Sequence, residues 1–318
     1  MVPSGQLSPA PRTDAPPPRP DDITTLTLGG LGGLADGTDG TDWRRPVLLD
    51  ADLVVLVTGG HGTAELDFRP LPCRPGTLLR VRPGQALRCE GTRLGAVVVR
   101  WSATALRGLD VEAADDVPAH RQLAGEDADA VLNEVTQLVV DCRRHPDVPA
   151  ARALLRHQLA VLLLRLALLP PTPADSDAAG VGAGVAAGVG VGVGVERRAE
   201  SATFRRLRHE VERGYQHTRR VEDYAARIGC SVRTLTRACL AVTGRSAKQV
   251  IDDRVALEAS RLLAATDEPI ARIGRRLGFP EPTNFGRFFT REMGLSPGAF
   301  RSSRGGPPGN GRPPAQRG

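Results

Sequence analysis

A run built almost wholly from glycine, valine and alanine, Ala178 to Val195, constrains this chain more than any other feature. It offers no large side chain to pack. Its recurring glycines disfavour a stable helix, at about 1 kcal/mol each relative to alanine. Pro170-Pro171-Thr172-Pro173, just before it, stops any helix arriving from the N-terminal side. Residues 170–200 therefore read as a flexible tether. The chain must fold as two bodies, one on each side, which suits 318 residues when a domain usually takes roughly 100–200.

Charge divides at the same place. Residues 1–200 carry a net −5, residues 201–303 a net +8, and the tail 304–318 a further +3 from Arg304, Arg312 and Arg317. Lys248 is the only lysine. A preference for arginine explains that bias but not the asymmetry. An acidic front and a basic back point to a polyanionic partner for the back alone. Hydrophobic residues make up 41% and aromatics 3%, so the cores must be built mainly from leucine, valine and alanine. Five cysteines without a CxxC pair suit a reducing cytoplasm and no disulfide framework. The proline-rich residues 1–22 read as a disordered lead without the apolar region of a secretion signal.

In the front body, 23–169, the text from Pro46 to Trp101 is β. Short apolar or alternating runs occur at 47–49, 53–57, 64–68, 78–81 and 96–99, with a weaker strand after residue 23. The punctuation is Gly59-Gly60-His61-Gly62, Arg74-Pro75-Gly76, Arg82-Pro83-Gly84 and Glu90-Gly91. Such spacing predicts a small sandwich or barrel. From Asp127 to Arg144 the apolar period changes to three and four, which predicts a helix. Ala150 to Leu169 is a second helix with a broad leucine stripe. Arg156, His157 and Arg165 interrupt it, leaving far less than the ~20 apolar residues a membrane span needs. The pair reads as a helical hairpin whose stripe covers the β domain or packs on a second subunit.

Residues 203–300 are helical throughout, and one grammar occurs twice. Val221 to Ile228 and Ile270 to Leu277 are short helices with apolar residues three and four apart. Gly229 and Gly278 follow where the chain turns sharply. Ser231, a natural N-cap, and Pro282, suited to a first turn, open the next helices. This is a doubled helix-turn-helix, joined by a connecting helix over Val250 to Thr266. Arg233, Thr234 and Arg237 fall on the outer face of the first such helix, and Thr283, Asn284 and Arg287 on that of the second. Arginine can bind guanine bidentately, asparagine adenine, and threonine a base edge or methyl, so these six are the candidate DNA-binding residues.

From about Phe204 to Arg301 these residues resemble the AraC/XylS family of transcription regulators. The resemblance lies in Ile270-Ala271, Ile273, Leu277-Gly278-Phe279, Asn284-Phe285, Phe288-Phe289, Met293-Gly294-Leu295-Ser296-Pro297 and Phe300-Arg301. It extends to Arg254, Glu258-Ala259 and Leu262-Leu263 in the connecting helix. Gly274 stands where that family usually has alanine, Cys239 where it has phenylalanine, and Asn284 where it often has an aromatic. The front body resembles the family's cupin-like sensor domain through residues 56–67 and 74–85.

The resemblance implies an α+β chain of five parts: the lead 1–22, a cupin-like β-barrel with a helical hairpin over 23–169, the linker 170–200, an all-α DNA-binding domain over 201–303 and a disordered tail 304–318. It implies a non-enzymatic, cytoplasmic transcription regulator, an activator recruiting RNA polymerase. Its partners would be double-stranded DNA, a second copy held through helices 127–169 and a small-molecule effector, with no membrane. No cofactor or metal is expected. The competing readings are a metal-dependent cupin enzyme fused to a DNA-binding domain and a regulator whose front domain only dimerises. The first would need several converging histidines, and only His61 and His120 lie near the barrel, with Glu65 and Asp67 beside His61. Gly29 to Gly33 lacks the Lys-Ser/Thr of a phosphate loop. Cys73 and Cys89 flank the two Pro-Gly turns and read as small core residues rather than a nucleophile.

Overall fold

A computed structural model describes residues 23–29, 45–90, 94–111, 117–145, 148–170 and 191–304. The lead 1–22, the glycine run at 30–33, most of the linker and the tail beyond Arg304 lie outside the described residues.

The front body contains β1 (Ile23–Gly29), β2 (Val47–Leu48), β3 (Asp52–Gly59), β4 (Gly62–Leu66), β5 (Arg69–Cys73), β6 (Thr77–Val81), β7 (Ala86–Glu90), β8 (Gly95–Trp101) and β9 (His120–Gln122). They form two antiparallel sheets, ordered β1-β8-β3-β6-β9 and β2-β7-β4-β5. Of the sandwich or barrel that the sequence predicts, the described residues form the sandwich. No ladder joins the two sheets among the described residues, so the strands stack as a sandwich.

Strand β3 shows why the run at 53–57 is apolar at every position. Leu53, Val55 and Val57 point between the sheets, where they meet Leu66, Leu71, Val81 and Val98. Val54 and Leu56 point the other way, into a second core shared with the helices. A strand buried on both faces cannot alternate with polar residues. Strand β5, Arg69-Pro70-Leu71-Pro72-Cys73, was not legible as a strand because it holds two prolines. It lies at a sheet edge, where a missing N–H breaks no ladder.

Two helices, α1 (Gly125–Arg144) and α2 (Pro149–Leu168), cover the outer face of the five-stranded sheet. Leu155, Leu159, Leu162, Leu163 and Leu166 of α2 are buried against α1 and the strands. Leu154, Val161 and Leu168 of α2, seven residues apart, are exposed, as are Leu132 and Val140 of α1. The leucine stripe is thus split between an inner and an outer face. No described helix is long and apolar enough to cross a membrane.

The back body is helical: α3 (Val191–Gly214), α4 (Val221–Ile228), α5 (Val232–Thr243), α6 (Ala247–Ala265), α7 (Ile270–Arg276), α8 (Pro282–Met293) and α9 (Pro297–Ser303). Helix α3 starts at Val191, inside the segment read as linker. Backbone hydrogen bonding continues upstream from the amphipathic stretch that buries Leu207 and Val211, despite the glycines at 192 and 194. The scarce aromatics are spent here. Phe279, Phe285, Phe288, Phe289 and Phe300 form one cluster with ring centroids 4.9–6.0 Å apart. Each such pair contributes about 0.5–1.5 kcal/mol beyond its burial.

The two bodies on either side of the tether meet. The β4–β5 turn carries Asp67 and Phe68 at φ 51° and 67°, a left-handed pair uncommon for residues other than glycine. Arg261 of α6 donates from Nε and Nη2 to the two Asp67 carboxylate oxygens, both at 2.7 Å. The Phe68 ring packs edge-on against Phe300, with centroids 5.5 Å apart. Arg304 pairs with Glu65 at 2.7 Å. The Arg261 and Asp67 side chains are only 8% and 12% exposed, so removing one partner leaves an uncompensated buried charge. Arg261→Ala is expected to cost about 3 kcal/mol in urea unfolding of the full chain. The pair Asp67→Ala with Arg261→Met is expected to cost clearly less than the two single changes added.

Candidate nucleic-acid interface

The first helix-turn-helix closes as its sequence dictates. Helix α4 ends at Gly229, at φ 76°, whose N–H donates to Ala225 O at 3.0 Å, as does that of Cys230. Ser231 caps α5, its Oγ accepting from Thr234 N at 3.0 Å. In the second unit Leu277 ends α7, Gly278 follows at φ 78°, and Phe279 N donates back to Gly274 O at 2.9 Å. Pro282 then opens α8 at its first position.

Burial sorts each second helix into two faces. Leu235, Ala238 and Cys239 of α5 are buried, as are Phe285, Phe288 and Phe289 of α8. Arg233 and Arg237 stand exposed on α5, and Thr283, Asn284 and Arg287 on α8. Thr234 differs. It is half-buried, and its hydroxyl lies 2.9 Å from Ser231 Oγ, so it completes the cap. Arg237 is held 3.2 Å from Glu200 of α3. Arg233 and Arg287 carry no hydrogen bond or ion pair among the described residues.

Helix α6 sets the two units against each other. Its buried Asp252 accepts from Lys248 and from Arg291 of α8. Its Arg254 donates to Glu212 of α3 at 2.8 Å and to Glu258 at 3.1 Å. Arg301 Nη2 donates to Glu268 O at 2.6 Å. These bonds give physical roles to the Arg254, Glu258 and Arg301 positions of the sequence pattern.

A basic cleft of about 640 Å³, not anticipated from sequence, lies beside α8. Arg219, Lys248, Arg287 and Arg291 line it together with Asn284. Burial pulls the Arg219 guanidinium below its ordinary value; the nearby Asp252 opposes this and Arg291 adds to it. The signal available in sequence was the basic pair Arg219-Arg220 just before α4.

The other chemistry-bearing residues of the front body are engaged otherwise. Glu65 pairs with Arg88 at 2.6 Å and with Arg304, and Asp67 with Arg261, while His61 stands exposed. His120 Nε2 lies 3.0 Å from Pro72 O. No group of three or more histidine, cysteine or acidic residues with metal-binding geometry occurs among the described residues. Cys73 and Cys89 flank the same strand, opposite Gly62 and Ala64 of β4. Burial raises both thiols, that of Cys89 to about 12, which leaves neither as a thiolate nucleophile at neutral pH. Burial likewise pushes Cys239 up to about 11, fitting a small core residue.

Gly274 has a local reason. A Cβ there would lie 3.0 Å from Phe285 Cβ and 3.1 Å from its Cγ. Phe285 is fully buried between the Phe279 and Phe289 rings, so any retreat would have to displace them. Gly274→Ala is therefore expected to lower the melting temperature, although helix propensity alone would raise stability by about 1 kcal/mol. An increase would mean that the phenylalanine cluster can yield.

A protein family described as a helix-turn-helix domain matches residues 224–303. The MmsAB operon regulatory protein of Pseudomonas aeruginosa is 33% identical over 94 residues, 29% of this chain and 31% of that protein. The match thus spans about a third of the relative's length. The DNA-binding domain of AdpA, solved with a target DNA, is 31% identical over 33% of this chain and 89% of that one, with a TM-score of 0.28. ToxT of Vibrio cholerae is 9% identical over 88% of this chain and 97% of that one, with a TM-score of 0.41. Together with the doubled helix-turn-helix, the family match and the Pseudomonas relative show that the helical half of the chain carries a helix-turn-helix domain similar to those of AraC-type transcription regulators.

Proposed function

We propose that the chain is a sequence-specific transcription regulator that reads DNA through α5 and α8, two copies being joined through the exposed faces of α1 and α2. The observation that carries the reading is the pair of helices that bury Leu235, Ala238 and Cys239 on one and Phe285, Phe288 and Phe289 on the other while Arg233, Arg237, Thr283, Asn284 and Arg287 stand outward. Such side chains in a major groove bind both phosphates and base edges. By family resemblance the regulator activates by recruiting RNA polymerase, and its front domain answers to a small molecule.

The test of the reading is binding of the full chain to duplex DNA from its own upstream region against scrambled duplex, at two salt concentrations. Preference for the upstream DNA that survives moderate salt supports it. Equal binding to both that collapses with salt would mean that only charge is read. Arg233→Ala and Arg287→Ala are each expected to lose about 1–3 kcal/mol with relaxed base preference. Unchanged affinity in both would move the reading face elsewhere.

The dimer rests on the exposed row Leu154, Val161 and Leu168, with Leu132 and Val140 beside it. A stripe at seven-residue spacing on a two-turn repeat is the seam of paired helices. Leu154→Glu with Val161→Glu is expected to shift the chain from dimer to monomer in sedimentation while leaving its melting temperature nearly unchanged. An unchanged mass would exclude this face.

A further inference from the structure

We propose that Arg219, on the loop between α3 and α4, grips a backbone phosphate of the DNA next to α8, so that the second reading site is assembled from both helix-turn-helix units. This rests on the DNA-binding reading above and adds a residue that lies in neither recognition helix.

The loop is built to hold one position. His217 N and Thr218 N donate to Gly214 O at 2.9 and 3.2 Å. The Tyr224 hydroxyl donates to Thr218 O at 3.0 Å, and the Thr218 hydroxyl donates to Asp223. Its far side presses on the turn of the second unit, where a Cβ at Gly278 would lie 3.0 Å from Gln216 O. Glycine is needed at 278 twice over, for its left-handed φ and for this approach.

On that loop the Arg219 guanidinium lies 3.5 Å from the centroid of the Phe279 ring and 5.6 Å from that of Phe288. These contacts hold the guanidinium over the Phe279 ring. Arg219 makes no hydrogen bond or ion pair among the described residues. A half-buried, oriented cation with unused donors is prepared for an oxyanion. Asp252, whose charge acts on Arg219, is already taken by Lys248 and Arg291. The cleft is therefore short of negative charge, and it is continuous with Asn284 and Arg287. A phosphodiester running past α8 supplies what is missing, and a planar fork on a fixed stack suits it better than a mobile ammonium.

The competing explanation is that Arg219 only caps the Phe279 ring. The two differ in salt dependence. Neutralising one phosphate fewer makes the slope of log affinity against log salt shallower by about 0.9. The experiment measures that slope for the full chain on upstream and scrambled duplex DNA, with Arg219→Ala, Arg219→Lys and Arg205→Ala beside wild type. Arg205 is exposed on α3, outside the cleft.

Arg219→Ala is expected to make the slope shallower by about one and to weaken binding about tenfold on both DNAs. Arg219→Lys is expected to restore the slope but not the full affinity, and Arg205→Ala to leave both near wild type. An unchanged slope in Arg219→Ala, a weakening confined to the upstream DNA, or an equal fall in Arg205→Ala would each overturn the proposal. The wild-type preference for upstream over scrambled DNA reports separately on the regulator reading, so either can fail without the other.

Discussion

Burial of one helix organises the back body. Twelve of the nineteen residues of α6 are buried, and four of them, Asp252, Glu258, Ser260 and Arg261, are polar. Each must find a partner, because an unpaired polar group in that setting costs several kcal/mol. Each partner comes from a defined place. Asp252 takes Lys248 and Arg291 of α8. Glu258 takes Arg254, which also reaches Glu212 of α3. Ser260 donates to Ala256 O at 2.8 Å. Arg261 takes Asp67 of the front body. The helix is thereby tied to α3, to α8 of the second helix-turn-helix unit and to the sandwich at once. In the proposed function, two DNA-reading helices on a flexible connection would each bind weakly and independently. On a buried strut they are presented together, with the entropy of their placement already given up in folding.

The same logic explains the shape of the β4–β5 turn. Two residues in left-handed backbone, one of them phenylalanine, cost of order 1–3 kcal/mol each and persist only where surroundings over-determine them. Here they do. Asp67 Oδ2 accepts from Gln85 Nε2 at 2.7 Å, and Oδ1 accepts from Ala86 N at 3.1 Å, besides both bonds from Arg261. The turn points Phe68 at the back body, where it adds one ring to the cluster at Phe300. Its carboxylate meets Arg261 of α6 and its ring meets Phe300 of α9, both outside the two recognition helices.

Much of this was legible because the relevant signals are local. Gly229, Ser231, Gly278 and Pro282 mark turns through their own backbone preferences, and those turns fix which residues of α5 and α8 face outward. The strands at 53–57, 78–81 and 96–99 were legible as apolar runs. What escaped depends on partners distant in sequence. Sandwich and barrel could not be told apart because sheet closure is decided by edge strands, and β5 is hidden behind its prolines. Helix α3 begins at Val191 although its glycines argue against it. The docking of Asp67 on Arg261 joins residues 194 positions apart. Nothing in either neighbourhood announces it, and the tether between the bodies pointed the other way.

The near-total use of arginine acquires a structural sense in this light. Arg219 stacks on Phe279, Arg254 on Tyr215 at 4.1 Å, Arg80 on Trp101 at 4.6 Å, and Arg304 on Phe68 at 5.0 Å. A planar cation adds cover to a ring, and its edge can still reach a carboxylate or a carbonyl. Arg254, Arg80 and Arg304 do both, the first toward Glu212 and Glu258, the second toward Asp52, the third toward Glu65. Lysine, a point charge on a flexible stem, could supply the charge but not the cover. Arg219 belongs to this set in every respect except that its edge meets no anion from the described residues, and the cleft it faces is the one beside the second reading helix.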